Sequence, residues 1–390
     1  MSSDLPKIGF GENEFVVRTQ RAQGLMAEKG LDALLLTTEP EIRYFSGFHT
    51  AFWLSPTRPW FLIVPFEGKP IAVIPEIGAR RMSDTWIDDI ITWPSPRPFD
   101  EGISELAKVL ECLKKRSGLI GLPMGPESYV RMPLSDFEKL RNSNNNIEFV
   151  DATPLVRELR MVKSEAEISK IRFICQRVSE GFSDLSKIAK VGDEEREVFR
   201  RFRIDLLARG ADEVPYLVGG SGPGGPVEVI GMPSDRTLDA GDMLMMDTGA
   251  VFDGYFSDFD RNFCFGFADD IVKKAYATVF KATEAGLQAA RPGATAENIW
   301  QKMAEVLSDG GASINVVGRL GHGLGMQLTE WPSNMQGDST VMRPGMVMTL
   351  EPCMNFGDGR IMVHEENIVI RDGEPELLSC RAPTEIPVLS

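Results

Sequence analysis

The sequence is short of histidine, of positive charge, of paired cysteine and of long apolar runs, and each scarcity narrows its function. Three histidines occur in 390 residues, at positions 49, 322 and 364, so the placing of His322 between two glycines asks for a reason. The formal net charge is -15 and the pI is near 4.9. That balance lacks the basic footprint needed to hold nucleic acid or an anionic membrane surface, and neither is expected as a partner. It is compatible with binding cations, metal ions included. The five cysteines (Cys112, Cys175, Cys264, Cys353 and Cys380) are odd in number and form no CxxC pair. This argues against a disulfide framework or a thiolate zinc site and for reduced thiols. The opening "MSSDLPKIGFGENEF" has no basic head followed by an apolar stretch, so no signal peptide is expected. No run of about 18 apolar residues is present to span a bilayer. The expectation is a soluble, cytoplasmic protein.

What is present is the profile of a globular chain, with 43% hydrophobic and 25% charged residues. Residues 14–29 have helical spacing and Gly30 stands where a helix would stop. "LDALLLTT" reads as a buried strand, and "PWFLIVPF" with "KPIAVIPE" as a hairpin about Glu67-Gly68. "ELAKVLECLKK" is an amphipathic helix and "GLIGLP" a short strand. Residues 1–155 therefore form an α/β domain. Residues 156–190 read as a linker helix plus the first helix of a second domain, 156–390. There, strands are expected in "VPYLVGG", "DMLMMDTGAVFDGYFSDFDRNFCF", "GMVMTLEPCMNF" and "MVHEENIVIRDG", with helices near 194–209, 268–291 and 295–309. Strand segments outnumber crossover helices, which predicts an α+β fold rather than a doubly wound sheet.

Five side chains with metal-ligand character fall on strand-like segments or their ends: Asp247, Asp258, His322, Glu351 and Glu365. Asp247 and Asp258 are eleven apart, which on one continuous strand would put them on opposite faces. The intervening Asp253-Gly254 signals a hairpin turn or bulge that can return both to one face. Carboxylates set in apolar strands are costly to bury unpaired and repel one another. A pair of divalent ions answers both problems. Four carboxylates and one imidazole favour a hard ion, Mn²⁺ first, with Fe²⁺, Co²⁺ or Zn²⁺ as alternatives. Two such ions about 3.5–4 Å apart could activate a bridging water and polarise a carbonyl. Taken singly, each residue also has a structural reading: Asp258 as a turn residue paired with Arg261, Glu351 and Glu365 on an exposed edge, His322 as a satisfied structural histidine.

The set "MMDTGAVFDGYFSDFDR", "GHGLG", "TLEP" and "HEENIVI" resembles the creatinase, prolidase and aminopeptidase P superfamily, two-domain branch. "GLDALLLTTEPEIRYFSGF" and "LVRELRMVKSEAEISKIR" resemble that branch's N-terminal domain and linker helix. The resemblance implies a pita-bread catalytic domain behind a creatinase-type N-terminal domain. It implies a metal set of Asp247, Asp258, His322, Glu351 and Glu365, with the family's Glu-x-x-apolar-apolar spacing selecting Glu365 over Glu366. It also implies a homodimer in which a loop carrying His49 and Trp53 can reach a substrate.

The sequence departs from the peptidase pattern at several points. The histidine expected shortly before "PSDRTL" is absent from "PVEVIGM", and the His of "His-Glu-x-Pro" is Thr329, followed by Glu330. Those imidazoles stabilise developing negative charge, and loss of one such donor typically lowers kcat by about 10²–10³-fold. The usual Thr of "Asp-x-Thr-Arg" is Asp260, the Arg two residues before the final Glu is Val363 with His364 beside it, and the Gly after Glu-Pro is Cys353. The glycine-rich "GGSGPGGPVEV" lacks the ending of a phosphate loop and is expected to shape a pocket wall.

The reading is a dinuclear-metal hydrolase of Xaa-Pro dipeptidase or aminopeptidase type, cleaving an amide-like C–N bond in a dipeptide or small molecule. Glu351, Thr329 and Glu330 are its catalytic candidates, and His49, Trp53 and His364 its substrate contacts. The alternative is a non-peptide member of the family, an ectoine- or creatine-type hydrolase or a dimethylsulfoniopropionate-type lyase.

Overall fold

A computed structural model of the chain describes residues 5–55, 57–143, 145–312 and 318–390. They fall into two compact units, Lys7–Arg160 and Met161–Ser390, the latter also taking in residues 5 and 6.

The first unit is a six-stranded mixed sheet with helices packed on it. Helix α1 (Glu12–Lys29) ends where Gly30 turns left-handed (φ 67°), its N–H closing on Ala27 O. Strand β1 (Ala33–Leu36) is buried along its whole length, as its apolar run predicts, and α2 (Glu39–Ser46) follows. β2 (Phe61–Pro65) and β3 (Ile71–Pro75) form the hairpin about Glu67-Gly68. Then come α3 (Ala79–Ser83), β4 (Asp89–Trp93), α4 (Ile103–Leu113), β5 (Leu119–Leu122), α5 (Leu134–Ser143) and β6 (Glu148–Asp151). The sheet order is β4-β3-β2-β1-β5-β6. Leu35, Phe61, Val73, Trp93, Leu106 and Leu110 fill its core, each buried side chain contributing about 1.5–3 kcal/mol.

Helix α6 (Thr153–Met161) runs up to the point where the units divide. α7 (Glu165–Ser183) does not continue it. Val162 pairs with Met346, and Ser164 opens α7 with a capping box closed by Glu167. α8 (Glu195–Ala208) leads into β7 (Glu213–Pro223), β8 (Asp242–Phe252), β9 (Tyr255–Phe256) and β10 (Phe259–Phe265). After α9 (Asp270–Ala289) and α10 (Ala296–Asp309) come β11 (His322–Gly323), β12 (Glu330–Ser333), β13 (Val347–Leu350), β14 (Cys353–Phe356), β15 (Arg360–Val363), β16 (Glu366–Val369), β17 (Glu376–Leu377) and β18 (Val388–Leu389). One sheet has the order β18-β10-β8-β7 with β9 on β8, a second β12-β11-β13-β16-β17, and β14 pairs β15. This is the α+β arrangement expected from the excess of strands. β7 runs on through Pro223, so half of the glycine-rich segment is strand. Gly219 is required there, since a Cβ would lie 2.1 Å from Met245 O.

The second unit is positioned by strand alternation. Met348, Leu350, Ile368 and Ile370 share a core with Val279, Ala282, Ile299 and Met303 of α9 and α10. Gly286 lets those helices close, because a Cβ on it would meet Met303 Sδ at 2.8 Å. With even-numbered residues facing α9, the odd-numbered residues of β13 and β16 face the other way.

Candidate metal centre

Two hairpins and one glycine-flanked strand carry the candidate residues. In the first hairpin, Asp253 (φ 47°) and Gly254 (φ 79°) both adopt positive φ, the signature of a two-residue type I′ turn. Phe252 pairs with Tyr255, Thr248 with Phe259 and Asp247 with Asp260. Cross-strand partners in this register are always an odd number apart. Asp258, two residues before Asp260, therefore shares a face with Asp247 despite their separation of eleven. The turn is anchored to α7, where Lys170 Nζ is 2.5 Å from Asp253 Oδ2 and Tyr255 donates to Glu167 at 2.9 Å.

In the second hairpin, Thr349 pairs with Asn367, Leu350 with Glu366, and Cys353 with Val363. All lie in one register, which sets Glu351 opposite Glu365 on the odd-numbered face. Glu366 and His364 have the opposite parity. Glu366 pairs with Arg261 (2.9 Å) and accepts from Ser379 and Ala382 N. His364 meets Thr283 Oγ1 at 2.9 Å, packs against Tyr276 and Phe280, and is pushed down to about 3, chiefly by burial. This substrate-contact candidate is thus held, neutral, among α9 side chains.

His322 enters from β11. A Cβ on Gly321 would lie 2.3 Å from Thr349 O, and one on Gly323 2.3 Å from Trp331 O, so the glycines are a packing requirement. Nδ1 lies 2.8 Å from Gly323 O. A carbonyl only accepts, so Nδ1 carries the proton and Nε2 is left as the ligand nitrogen. Nε2 lies 3.4 Å from Asp258 Oδ2 and 3.7 Å from Glu351 Oε1. Ligand atoms of Asp258, His322 and Glu365 all fall within 4.8 Å of one another.

The surroundings fit divalent ions. Asp247 Oδ1 and Glu365 Oε1 are buried and have no hydrogen-bond partner among the described residues, and leaving such oxygens bare is costly. Burial, then the charge of Glu351, pushes Asp247 up to about 7; burial alone takes Glu351 to about 7. Burial and neighbouring carboxylates hold Asp258 and Glu365 well above the ordinary range. Oxygen ligands with one imidazole suit a hard or borderline cation.

A pH test follows from these shifts. Carboxyls whose folded values are raised bind protons more tightly in the native state than in the unfolded chain. Native stability is then lost as pH rises from the ordinary carboxylate range through about 7. The metal-free protein is expected to melt at a lower temperature at pH 8 than at pH 5.5, and added Mn²⁺ to reverse that order. A thermal series with and without chelator checks both signs.

Several neighbours were not singled out from sequence. Tyr216 donates to Asp247 Oδ2 at 3.0 Å from the adjacent strand. The Asn367 side chain clamps the Asp258 peptide, accepting from its N–H at 2.9 Å and donating to its C=O. Arg319 offsets part of the repulsion at Asp258 and Glu351, and its Nη2 lies 3.5 Å from Thr329 Oγ1. Only Arg319, three residues before His322, had a sequence signal. Of the other candidates, Glu330 forms a buried ion pair with Lys163 at 2.8 Å. In the first unit, Trp53 is buried against Phe48 and Trp60. His49 is exposed, its Nδ1 3.0 Å from Arg43 and 3.4 Å from Glu39.

Comparison with known proteins gives two matches along the chain. Residues 169–372 match metallopeptidase family M24, and residues 18–162 match the creatinase/prolidase N-terminal domain. An Xaa-Pro dipeptidase of Pyrococcus horikoshii is 26% identical over 357 residues, 90% of this chain and 94% of that protein. A probable dipeptidase PepE of Mycobacterium tuberculosis is 28% identical over 394 residues, 97% and 98% of the two chains. The crystal structure of a recombinant prolidase from Thermococcus sibiricus superposes with a TM-score of 0.86 at 25% identity, covering 97% of this chain and 100% of that one. Among the described residues no helix is long and apolar enough to cross a membrane.

Proposed function

From membership of metallopeptidase family M24, to which this chain belongs, we propose that it is a dinuclear-metal dipeptidase of Xaa-Pro type, hydrolysing the amide C–N bond of a dipeptide. The observation that carries this reading is the convergence of Asp258, His322 and Glu365 with the unsatisfied buried oxygens of Asp247 and Glu365. Asp247, Asp258, His322, Glu351 and Glu365 would hold two divalent ions, Mn²⁺ first among them. When bound, such ions supply an activated water and polarise the scissile carbonyl.

The remaining work falls to this chain's own groups. Glu351 is more open than Asp258 and His322, its side chain 24% exposed against 6% for Asp258 and 5% for His322. It is therefore the carboxylate placed to take a proton from the attacking water and return it to the leaving amide nitrogen. Tyr216 fixes the rotamer of Asp247, and Asn367 fixes the peptide of Asp258. Arg319 is the cation facing the site, suited to negative charge on the tetrahedral carbon's oxygen or to a substrate carboxylate.

A second reading is favoured by one feature, the hydroxyl of Thr329 and the guanidinium of Arg319 where the peptidase pattern places an imidazole. It keeps the hydrolytic centre and changes the substrate to a non-peptide amide. A panel of Xaa-Pro dipeptides, N-acyl amino acids and betaines, assayed with Mn²⁺ and with chelator, separates the two. Chelator-sensitive cleavage of Xaa-Pro dipeptides is expected. Thr329→His is expected to raise kcat/KM on them by about 10²-fold, the size of one restored oxyanion donor. Absence of any amide hydrolysis in protein loaded with Mn²⁺, Co²⁺ or Zn²⁺ would sink both readings.

A further inference from the structure

Three positions where the sequence parts from the peptidase pattern meet at one place behind the first hairpin. Asp260 lies on β10 directly across from Asp247 on β8, a pairing that sets their Cβ atoms about 4.5–5.5 Å apart on one face. Asp258 shares that face, two residues away along the strand. The Asp260 side chain is buried, the whole residue being 1% exposed. Its Oδ2 accepts from Asn262 Nδ2 at 2.8 Å, and the same amide donates to Val363 O at 2.7 Å. Its Oδ1 is buried with no hydrogen-bond partner among the described residues. The carboxylate reaches electrostatically to Asp258, Glu365 and the Cys353 thiol. No basic side chain among the described residues is hydrogen-bonded to it; Arg261, its chain neighbour, spends its guanidinium on Glu366 and the carbonyls of Asp260, Glu365 and Cys380.

An ionisable group at such depth with one bare oxygen is expensive unless a cation completes it. Relative to the peptidase pattern, Thr→Asp at position 260 adds a carboxylate, and Arg→Val at position 363 removes a guanidinium. Both changes move the local charge the same way. We infer that Asp260 is a further oxygen ligand of the metal centre, its Oδ1 turned to the cation that Asp247 holds and its Oδ2 fixed by Asn262. This rests on the metal reading proposed above and deepens it: the site binds a hard divalent ion with one more carboxylate than the family pattern supplies.

The test is metal affinity rather than turnover. Full-length chain is stripped with chelator and dialysed against buffered Mn²⁺, with bound metal per chain and dissociation constants read for wild type, Asp260→Asn, Asp260→Thr and Asp247→Asn. The expected result is that both changes at position 260 weaken one class of bound Mn²⁺ by 10-fold or more, about the range for loss of a group supporting a metal site, while circular dichroism is unchanged. Asp247→Asn should weaken the same class further. Wild-type Mn²⁺ affinity in either folded variant at position 260 would overturn the inference and leave the metal reading standing. Thr is included because it is small, suits a strand and carries no charge, so it reports even if the Asn variant folds poorly. Wild-type protein that takes up no Mn²⁺, Co²⁺ or Zn²⁺ would overturn the metal reading and this inference together.

Discussion

Asp258→Asn is expected to remove metal-dependent hydrolysis while leaving the metal-free fold at least as stable as before. The two halves have separate causes. The Asp258 side chain is about 6% exposed and 3.4 Å from His322 Nε2, so an amide in its place withdraws one negative charge from beside that imidazole, where the proposed ion would sit. A bound ion contributes several kcal/mol of transition-state stabilisation, and each 1.36 kcal/mol is a factor of ten. A fall in kcat/KM of about 10³-fold or more is expected, with loss of bound Mn²⁺ in parallel. Without metal, the same carboxyl is strained by burial and by the charges of Asp247 and Glu351. Neutralising it relieves that repulsion, and the Asn367 clamp on the Asp258 peptide does not involve the side chain. The melting temperature of stripped protein should therefore hold or rise. Full activity in Asp258→Asn, or a fall in metal-free stability like that of a broken ion pair, would contradict the assignment.

Much of this arrangement was legible because it depends on period and turn chemistry. The Asp253-Gly254 pair announced a hairpin, and a two-residue turn makes an odd separation of eleven a same-face relation. Glu365 and Glu366 are separated by parity, since Ile368 and Ile370 mark the core side of their strand. The same parity, followed two residues back from Glu366, puts His364 against Thr283, Tyr276 and Phe280 of α9. The helices expected near 194–209, 268–291 and 295–309 are observed as Glu195–Ala208, Asp270–Ala289 and Ala296–Asp309. What sequence did not reveal are contacts between elements with no fixed spacing. Tyr216 reaches Asp247 from the neighbouring strand, two residues from Asp247's cross-strand partner Val218, and no motif in the sequence marks which strand pairs there. Lys163 reads as one more charge in a polar linker, yet it lies at the break between α6 and α7 and buries its ammonium. Helix α6 likewise runs through residue 155 to Met161, a continuity that its sequence does not announce.

Glu330 is where sequence and structure lead to different experiments. Next to Thr329 in the remnant of a His-Glu-x-Pro motif, it reads as catalytic. In the structure its Oε2 is 2.8 Å from Lys163 Nζ, with side-chain exposures of 6% and 2%, and its Oε1 accepts from Gln327 N. Gly325 leaves the room, since a Cβ there would lie 2.6 Å from Oε1. Breaking a buried pair by neutralising one partner leaves the other charge uncompensated and costs about 3–5 kcal/mol. For a unit of this size each kcal/mol is about 2–4 °C in melting temperature. Glu330→Gln is therefore expected to lower the melting temperature of the second unit by roughly 6–20 °C, with kcat at a permissive temperature little changed. The double variant Lys163→Met, Glu330→Leu should recover much of the loss, because two apolar side chains replace the pair without stranding a charge. The opposite pattern, a melting temperature near wild type with kcat reduced 10²-fold or more, would return Glu330 to the chemistry. The ion pair lies five to eight residues along the chain from His322 and Gly325. Its integrity therefore also sets how firmly the glycine-flanked loop presents the imidazole, and a rise in the Mn²⁺ dissociation constant should accompany the loss of stability in Glu330→Gln and be reversed in the double variant.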